Sequence, residues 1–101
     1  MSRRYESFRD FYPFYLSEHA DPVCRRLHFV GTSLALVMLV LSAIRLQPGW
    51  ILAALVTGYA FAWVGHFFFE KNRPATFTYP LYSFIGDWVM WKDMLTGRIK
   101  F

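Results

Sequence analysis

Two long apolar runs separated by a short polar turn dominate the pattern of hydrophobic and polar positions along the chain. No formally charged residue occurs from 27 to 44 or from 50 to 69, and Gln47-Pro48-Gly49 lies between the two runs. With its flanks, each run is long enough to cross a hydrocarbon core about 30 Å thick. The pattern predicts transmembrane helices at 22–46 and 50–71, which the tight turn connects as an antiparallel hairpin.

A shorter amphipathic segment precedes the hairpin at 5–18. Its aromatic residues recur at helical spacing, while charged residues occupy the positions between them. Pro13 is expected to kink or divide this helix, because its ring removes a backbone donor and clashes with the preceding turn. We expect an interfacial helix whose aromatic side chains lie at the depth of the lipid headgroups.

A second amphipathic segment follows the hairpin at 80–96. One face of this predicted helix is apolar and consists of Leu81, Phe84, Ile85, Trp88, Trp91 and Leu95. Three charged residues, Asp87, Lys92 and Asp93, argue against a full membrane span and favour an interfacial helix. The predicted fold is an all-α membrane protein in which residues 1–101 form a single domain: a two-span helical hairpin with flanking amphipathic interfacial helices.

Composition and charge point to membrane lipids as partners. The chain is 55% hydrophobic and 21% aromatic over 101 residues, more apolar surface than a soluble chain of this length could bury. The net charge is +4, but the basic residues flank the spans instead of forming a stripe, which favours anionic headgroups over nucleic acid. Of eleven Lys and Arg residues only Arg45 lies near the turn, so both termini are expected in the cytoplasm, at a bacterial inner membrane.

The three histidines are predicted to meet on the cytoplasmic side. His28 lies nineteen residues before Gln47 and His66 nineteen after it, so the two imidazoles should reach nearly the same depth in adjacent helices. His19 is nine residues before His28, which would place the two rings on opposite faces of one unbroken helix. The helix-start signal Asp21-Pro22 supplies a bend between them.

These positions suggest a metal site formed by His19, His28 and His66. Glu70 is a further candidate, either as a fourth ligand or as an acceptor that orients an imidazole. Neutral imidazoles suit iron, zinc and copper, and an incomplete ligand shell would leave positions for oxygen or substrate.

Structural explanations for the same residues remain open. An intramembrane histidine can instead form a hydrogen bond to a serine, a carbonyl or a lipid phosphate. Glu70 can be a carboxylate at the membrane rim that pairs with Lys71 or Arg73. These two basic residues can equally be anchors at the cytoplasmic headgroups.

Two blocks of sequence resemble a known family. They are His-Ala-Asp-Pro-Val-Cys-Arg-Arg-Leu-His at 19–28 and Gly-His-Phe-Phe-Phe-Glu-Lys-Asn-Arg-Pro-Ala at 65–75, of which the second is the more specific. Together with their flanks they are similar to the membrane-embedded 2-hydroxy fatty acid dioxygenases of α-oxidation, and the similarity runs from about Phe11 to Leu95.

The resemblance implies an iron(II)-dependent enzyme that uses dioxygen to shorten a 2-hydroxy fatty acid by one carbon. The family histidines carry over to His19, His28 and His66. The characterised eukaryotic relatives are longer and have extra membrane segments, so this short form is expected to need a homo-oligomer to close its site.

Substrate contacts follow from the chemistry of a 2-hydroxy carboxylate, which can chelate a metal through its hydroxyl and one carboxylate oxygen. The remaining carboxylate charge would pair with Arg73, Lys71 or Arg25. The acyl tail would lie among Phe67, Phe68, Phe69 and the membrane.

Two other functions compete with the dioxygenase. A non-enzymatic lipid-binding or scaffold protein would use the histidines and the basic rim to contact headgroups. A zinc-dependent lipid hydrolase would use zinc in place of iron, with Glu70 as general base beside a metal-bound water.

Overall fold

The structure, a computed structural model, describes residues 5–101 as four α-helices with one π-helical and one 3₁₀ segment. About 77% of the described residues are helical, and none of them lies in a strand. In chain order the elements are α1 (Phe8–Ser17), α2 (Pro22–Arg45), α3 (Gly49–Val64), the π segment (Gly65–Glu70), a 3₁₀ turn (Ala75–Phe77) and α4 (Pro80–Leu95). The predicted all-α fold is confirmed.

The two long helices form the predicted hairpin. Asp21 caps α2 by accepting hydrogen bonds from the backbone N–H groups of Val23 and Cys24, and Pro22 occupies the first helical position. At the other end Leu46 adopts a left-handed conformation, with φ at 53°, that reverses the chain before α3 begins. Pro22–Arg45 and Gly49–Glu70 are both long and apolar enough to cross a membrane.

The outer faces of the hairpin are apolar. Leu52 on α3 is 65% exposed, and many aliphatic side chains of both helices are similarly uncovered. A large exposed apolar surface is unfavourable in water and is the normal surface of a helix that lies in lipid.

Among the described residues, a cluster of buried hydrophobic side chains lies beside the hairpin, where α1 packs on α4. Its members are Phe11, Tyr15, Ala75, Met90 and Met94, with a shell of half-buried aromatic residues around them. Phe11 and Tyr15 are therefore covered by protein, and the position of α1 at the depth of the headgroups stays a prediction. The helix also continues through Pro13, so the proline does not divide it.

The two ends of the apolar face of α4 point outward, whereas Trp91 of the same face packs against Phe29 of α2. Leu81 and Leu95 are exposed, whereas Ser83 and Asp93 are buried. The hydroxyl of Tyr12 donates to Asp93 at 2.7 Å, and the hydroxyl of Tyr15 donates to Asp87. These contacts fix α1 and α4 against each other and turn the carboxylates of α4 toward the protein interior.

Candidate metal centre

The three histidines lie in three different local structures. His19 lies in the short connection after α1, where its backbone N–H donates to the carbonyl of Leu16 at 3.0 Å. His28 is in the second turn of α2, which starts anew at Pro22. This change of direction is the bend that the Asp21-Pro22 signal predicts.

His66 is carried by the π segment at the end of the second span. Its neighbour Gly65 faces Cys24 of α2 so closely that an added Cβ would lie 3.0 Å from the Cys24 sulfur and 3.2 Å from its Cα. A glycine is needed at this approach because the opposing atoms include backbone. The contact brings the π segment, and with it His66, against the turn of α2 that carries His28.

The three imidazoles form one compact cluster. The Nε2 atoms of His19 and His28 are 3.0 Å apart, and one ring nitrogen from each of the three residues lies within 4.8 Å of the others. The ring centroid of His66 is 4.5 Å from that of His19 and 4.9 Å from that of His28. All three side chains are buried, with exposures of 1% for His19 and 3% for His28 and His66.

Hydrogen bonds fix the same tautomer in all three rings. Nδ1 of His19 lies 2.6 Å from the carbonyl oxygen of Tyr15, and Nδ1 of His28 lies 2.8 Å from that of Cys24. A carbonyl oxygen only accepts, so both Nδ1 atoms carry the hydrogen. Their Nε2 atoms are therefore unprotonated in the neutral rings.

Asn72 fixes the tautomer of His66 in the same way. Its Nδ2 donates to the carbonyl oxygen of Glu18 at 3.0 Å, which orients the amide so that Oδ1 faces Nδ1 of His66 at 2.7 Å. His66 therefore also donates from Nδ1. Three Nε2 lone pairs then point into one small space, an arrangement that is repulsive unless a cation or a shared proton lies between them.

Burial favours the neutral form of His19, which is the form that binds metal. It lowers the pKa of His19 well below its usual value, and the neighbouring His28 and His66 lower it further, against the opposing hydrogen bond to Tyr15. Acquiring protons is therefore costly here, whereas a divalent cation satisfies three lone pairs at once. These residues could hold a metal, and the chemistry of the donor set fits one.

The other predicted site residues lie outside the cluster. Oε1 of Glu70 accepts from the backbone N–H of Asp21 at 2.8 Å, where it links the π segment to the start of α2. Lys71 is exposed. Arg73 is exposed too, with its guanidinium 5.2 Å from the ring centroid of Phe77.

Arg25 lies nearer to the histidines. One of its terminal nitrogens donates to the carbonyl oxygens of Ala20, at 2.8 Å, and His19, at 3.2 Å. Its Nε is buried and has no hydrogen-bond partner among the described residues.

Sequence reasoning overlooked a group of residues on α1 and α4. The Tyr15 ring stacks on His19 with centroids 4.1 Å apart, and its hydroxyl donates to Asp87. Burial raises the pKa of Asp87 to about 7, although the Tyr15 hydrogen bond lowers it. Asp87 and Ser83 line the small pocket that the histidines enclose. Their spacing of four residues on one helix face was the available signal, hidden by the stronger apolar face of α4.

All three histidines come from one chain. The imidazoles therefore meet within a single subunit, and a homo-oligomer is not required to bring them together.

Comparison with known proteins agrees with this arrangement. Neither a curated protein nor a solved structure matches the chain with significant similarity. One family model does match, and it covers residues 5–99, which include the three histidines and all four α-helices. The chain therefore belongs to the Mpo1-like family, whose model is described as 2-hydroxy-palmitic acid dioxygenase Mpo1-like.

Proposed function

We propose that the protein is an iron(II)-dependent dioxygenase that shortens 2-hydroxy fatty acids by one carbon at the membrane, with His19, His28 and His66 as the metal ligands. The observation that carries the proposal is the cluster of three buried ring nitrogens within 4.8 Å, in a chain whose family is described by this activity. Every Nδ1 is committed to an acceptor, so each histidine has only Nε2 to offer the metal.

His19, His28 and His66 would hold the iron(II), which would supply coordination positions for a chelating 2-hydroxy carboxylate and for dioxygen. The protein's own contribution is to hold the rings in position and to exclude water from the centre. Burial of all three histidines serves the second role, and the acceptors Tyr15, Cys24 and Asn72 serve the first.

Among the three basic candidates, Arg25 is the one we propose for the substrate carboxylate. Its buried Nε has no partner among the described residues, and its terminal nitrogen already contacts the carbonyl oxygen of His19. A guanidinium N–H donating to a carboxylate is a strong, charge-assisted contact. Lys71 and Arg73 are exposed and remain candidates for the approach of the substrate or for headgroups.

We further propose that the hairpin spans the bacterial inner membrane with both termini in the cytoplasm. Two helices of sufficient length and the concentration of basic residues away from the turn support this orientation. Reporter domains fused to either terminus test it. A reporter that is active only in the cytoplasm should be active at either terminus. A terminus whose reporter lies in the periplasm would contradict the orientation.

The reaction is tested on protein purified anaerobically, loaded with iron(II) and reconstituted in lipid nanodiscs. Supplied with 2-hydroxypalmitate and oxygen, it should consume oxygen and release the acid that is one carbon shorter. Palmitate, which lacks the hydroxyl, and the His66→Ala variant are the controls and should consume none. Stoichiometric metal without oxygen consumption would contradict the proposal, and hydrolysis of a lipid ester by the zinc-loaded protein would support a hydrolase instead.

A further inference from the structure

An apolar cavity of about 180 Å³ starts beside the histidines and continues between the helices of the hairpin. On α2 it is lined by His28, Thr32, Ala35 and Leu39, which follow one another at spacings of four, three and four residues and so share a face. From His28 to Leu39 this face extends about 16 Å at the rise of an α-helix. The cavity therefore has one end at the candidate metal centre and the other deep in the span.

Small residues of α3 make the space. Ala54, Gly58 and Ala62 line the cavity opposite α2. A Cβ added at Gly58 would lie 3.8 Å from the Cβ of Ala35, which is an ordinary van der Waals contact. Phe84 and Trp88 of α4 cover one side. Phe84 and Leu55, which also line the cavity, are partly exposed on the outer surface, so the cavity has access to the lipid.

The polar lining of the cavity lies near the histidines. Asp87 lines both the cavity and the histidine pocket, so the two spaces adjoin at this residue. Ser83, one turn earlier on α4, lines the histidine pocket, is only 2% exposed, and its hydroxyl has no hydrogen-bond partner among the described residues. A buried hydroxyl without a partner is costly, and a polar ligand group in the pocket would satisfy it.

We propose that this cavity holds the acyl tail of the substrate, and that Leu39, Ile51 and Ala54 at its far end set the chain length the protein accepts. The proposal rests on the proposed function, which puts the polar head of a 2-hydroxy acid at the histidines. A polar pocket that opens into an apolar passage along the hairpin matches an acid with one long unbranched tail. Phe67, Phe68 and Phe69 are exposed on the outer surface, and they are the alternative tail site.

Blocking the cavity at two depths tests the proposal through substrate preference. Gly58→Leu and Ala54→Phe both fill it, and Ala54 is four residues, about 6 Å, farther from the histidines. Leu52→Phe is the matched control, because it adds a ring to the lipid-facing side of the same helix. The three variants and the wild type are compared on 2-hydroxy acids with tails of increasing length.

We expect Ala54→Phe to shift the preference to shorter acids and Gly58→Leu to shift it further, with kcat/KM for the longest acid lowered at least about tenfold. Leu52→Phe should keep the wild-type profile. Chain-length profiles that are the same in all four proteins, or a shift that does not follow depth, would overturn the proposal.

A second measurement does not depend on turnover or on the folding of a variant. The wild-type protein in nanodiscs, without oxygen, is irradiated with a 2-hydroxy acid that carries a diazirine at the tail end, and the labelled peptides are identified by mass spectrometry. Labels at Leu39 and at residues 51–55 support the cavity, and labels confined to Phe67–Phe69 overturn it. If labelling follows the cavity but no acid is ever oxidised, the proposed reaction fails and the tail site stands.

Discussion

Each histidine of the cluster is oriented by one acceptor, and the three acceptors differ in how far the sequence reveals them. Tyr15 precedes His19, and Cys24 precedes His28, by four residues, so their carbonyls lie one helical turn back and are accessible to the rings. The acceptor for His66 is a side chain six residues later, Asn72, which reaches back because the chain reverses at Lys71, where φ is 58°. Helical spacing does not predict that reversal.

Removing the acceptor of His66 should weaken metal binding. Asn72→Leu preserves much of the side-chain volume but leaves Nδ1 of His66 without its partner, so the affinity for iron(II) is expected to fall about 10–100-fold. Competition with a chelator of known affinity measures the change. Thr78→Val, at an exposed residue outside the cluster, should bind metal like the wild type. Equal affinities in all three proteins would contradict the role of Asn72.

The buried carboxyl of Asp87 makes stability depend on pH. Burial raises its pKa from 3.8 to about 7 in the folded protein, so the folded state holds this proton more tightly than the unfolded state. The stabilisation by this proton is complete below the pKa of Asp87 in the unfolded state and is lost as the pH rises through its pKa in the folded state. At about 1.4 kcal/mol per pKa unit, the loss is at most about 4 kcal/mol.

Asp87→Asn should remove this dependence, because its amide can still accept from Tyr15 but does not titrate. Thermal unfolding in detergent between about pH 5 and about pH 8 is the measurement. We expect the wild type to lose stability relative to the variant as pH rises. A constant difference between the two proteins across that range would show that Asp87 does not titrate there.

At the scale of elements, the order and approximate bounds of the helices follow from the sequence. Three local signals predict the hairpin: the charge-free runs, the helix start at Asp21-Pro22 and the turn at Gln47. Each of them depends only on residues that are close in the sequence. The π segment does not follow from the sequence. It forms where Gly65 lets the second span press against Cys24, a contact between helices that no local pattern encodes.

The contact at Gly65 should be sensitive to a single methyl group. In Gly65→Ala the new Cβ would lie 3.2 Å from the Cα of Cys24, so the π segment must move away and carry His66 with it. We expect a loss of about 1–3 kcal/mol of stability and weaker iron binding. Gly49→Ala is the matched control, because nothing lies within 4 Å of a Cβ there. Thermal unfolding and metal affinity equal to the control would argue against the close approach.

For a related reason, the sequence does not predict what covers the flanking helices. Periodicity identifies an apolar face but does not say whether lipid or protein covers it. In α4 the two ends of the apolar face, Leu81 and Leu95, point outward and Ser83 and Asp93 point inward, whereas in α1 the aromatic residues Phe11 and Tyr15 are buried. Hydrogen bonds from Tyr12 and Tyr15 to the carboxylates of α4 decide between the two arrangements, and they join residues more than seventy positions apart.

For the whole molecule, the cluster was more predictable than its surroundings. Because His28 and His66 are equally far from Gln47 in the sequence, a straight hairpin places them at the same depth. A bend before α2 is then enough to bring His19 to them. The cavity could not be predicted in this way. It depends on which small residues of α2 and α3 face each other and on how α4 covers them, and both are decided by packing between distant parts of the chain.

The metal content of the purified protein is the sharpest test of the three-histidine metal centre. Wild type and the variants His19→Ala, His28→Ala and His66→Ala are reconstituted anaerobically with iron(II), freed of loosely bound metal and analysed for metal per chain. We expect about one iron per wild-type chain and a large loss in each variant, since all three rings would hold the same ion. No stoichiometric metal in the wild type, or full metal in any one of the variants, would contradict it.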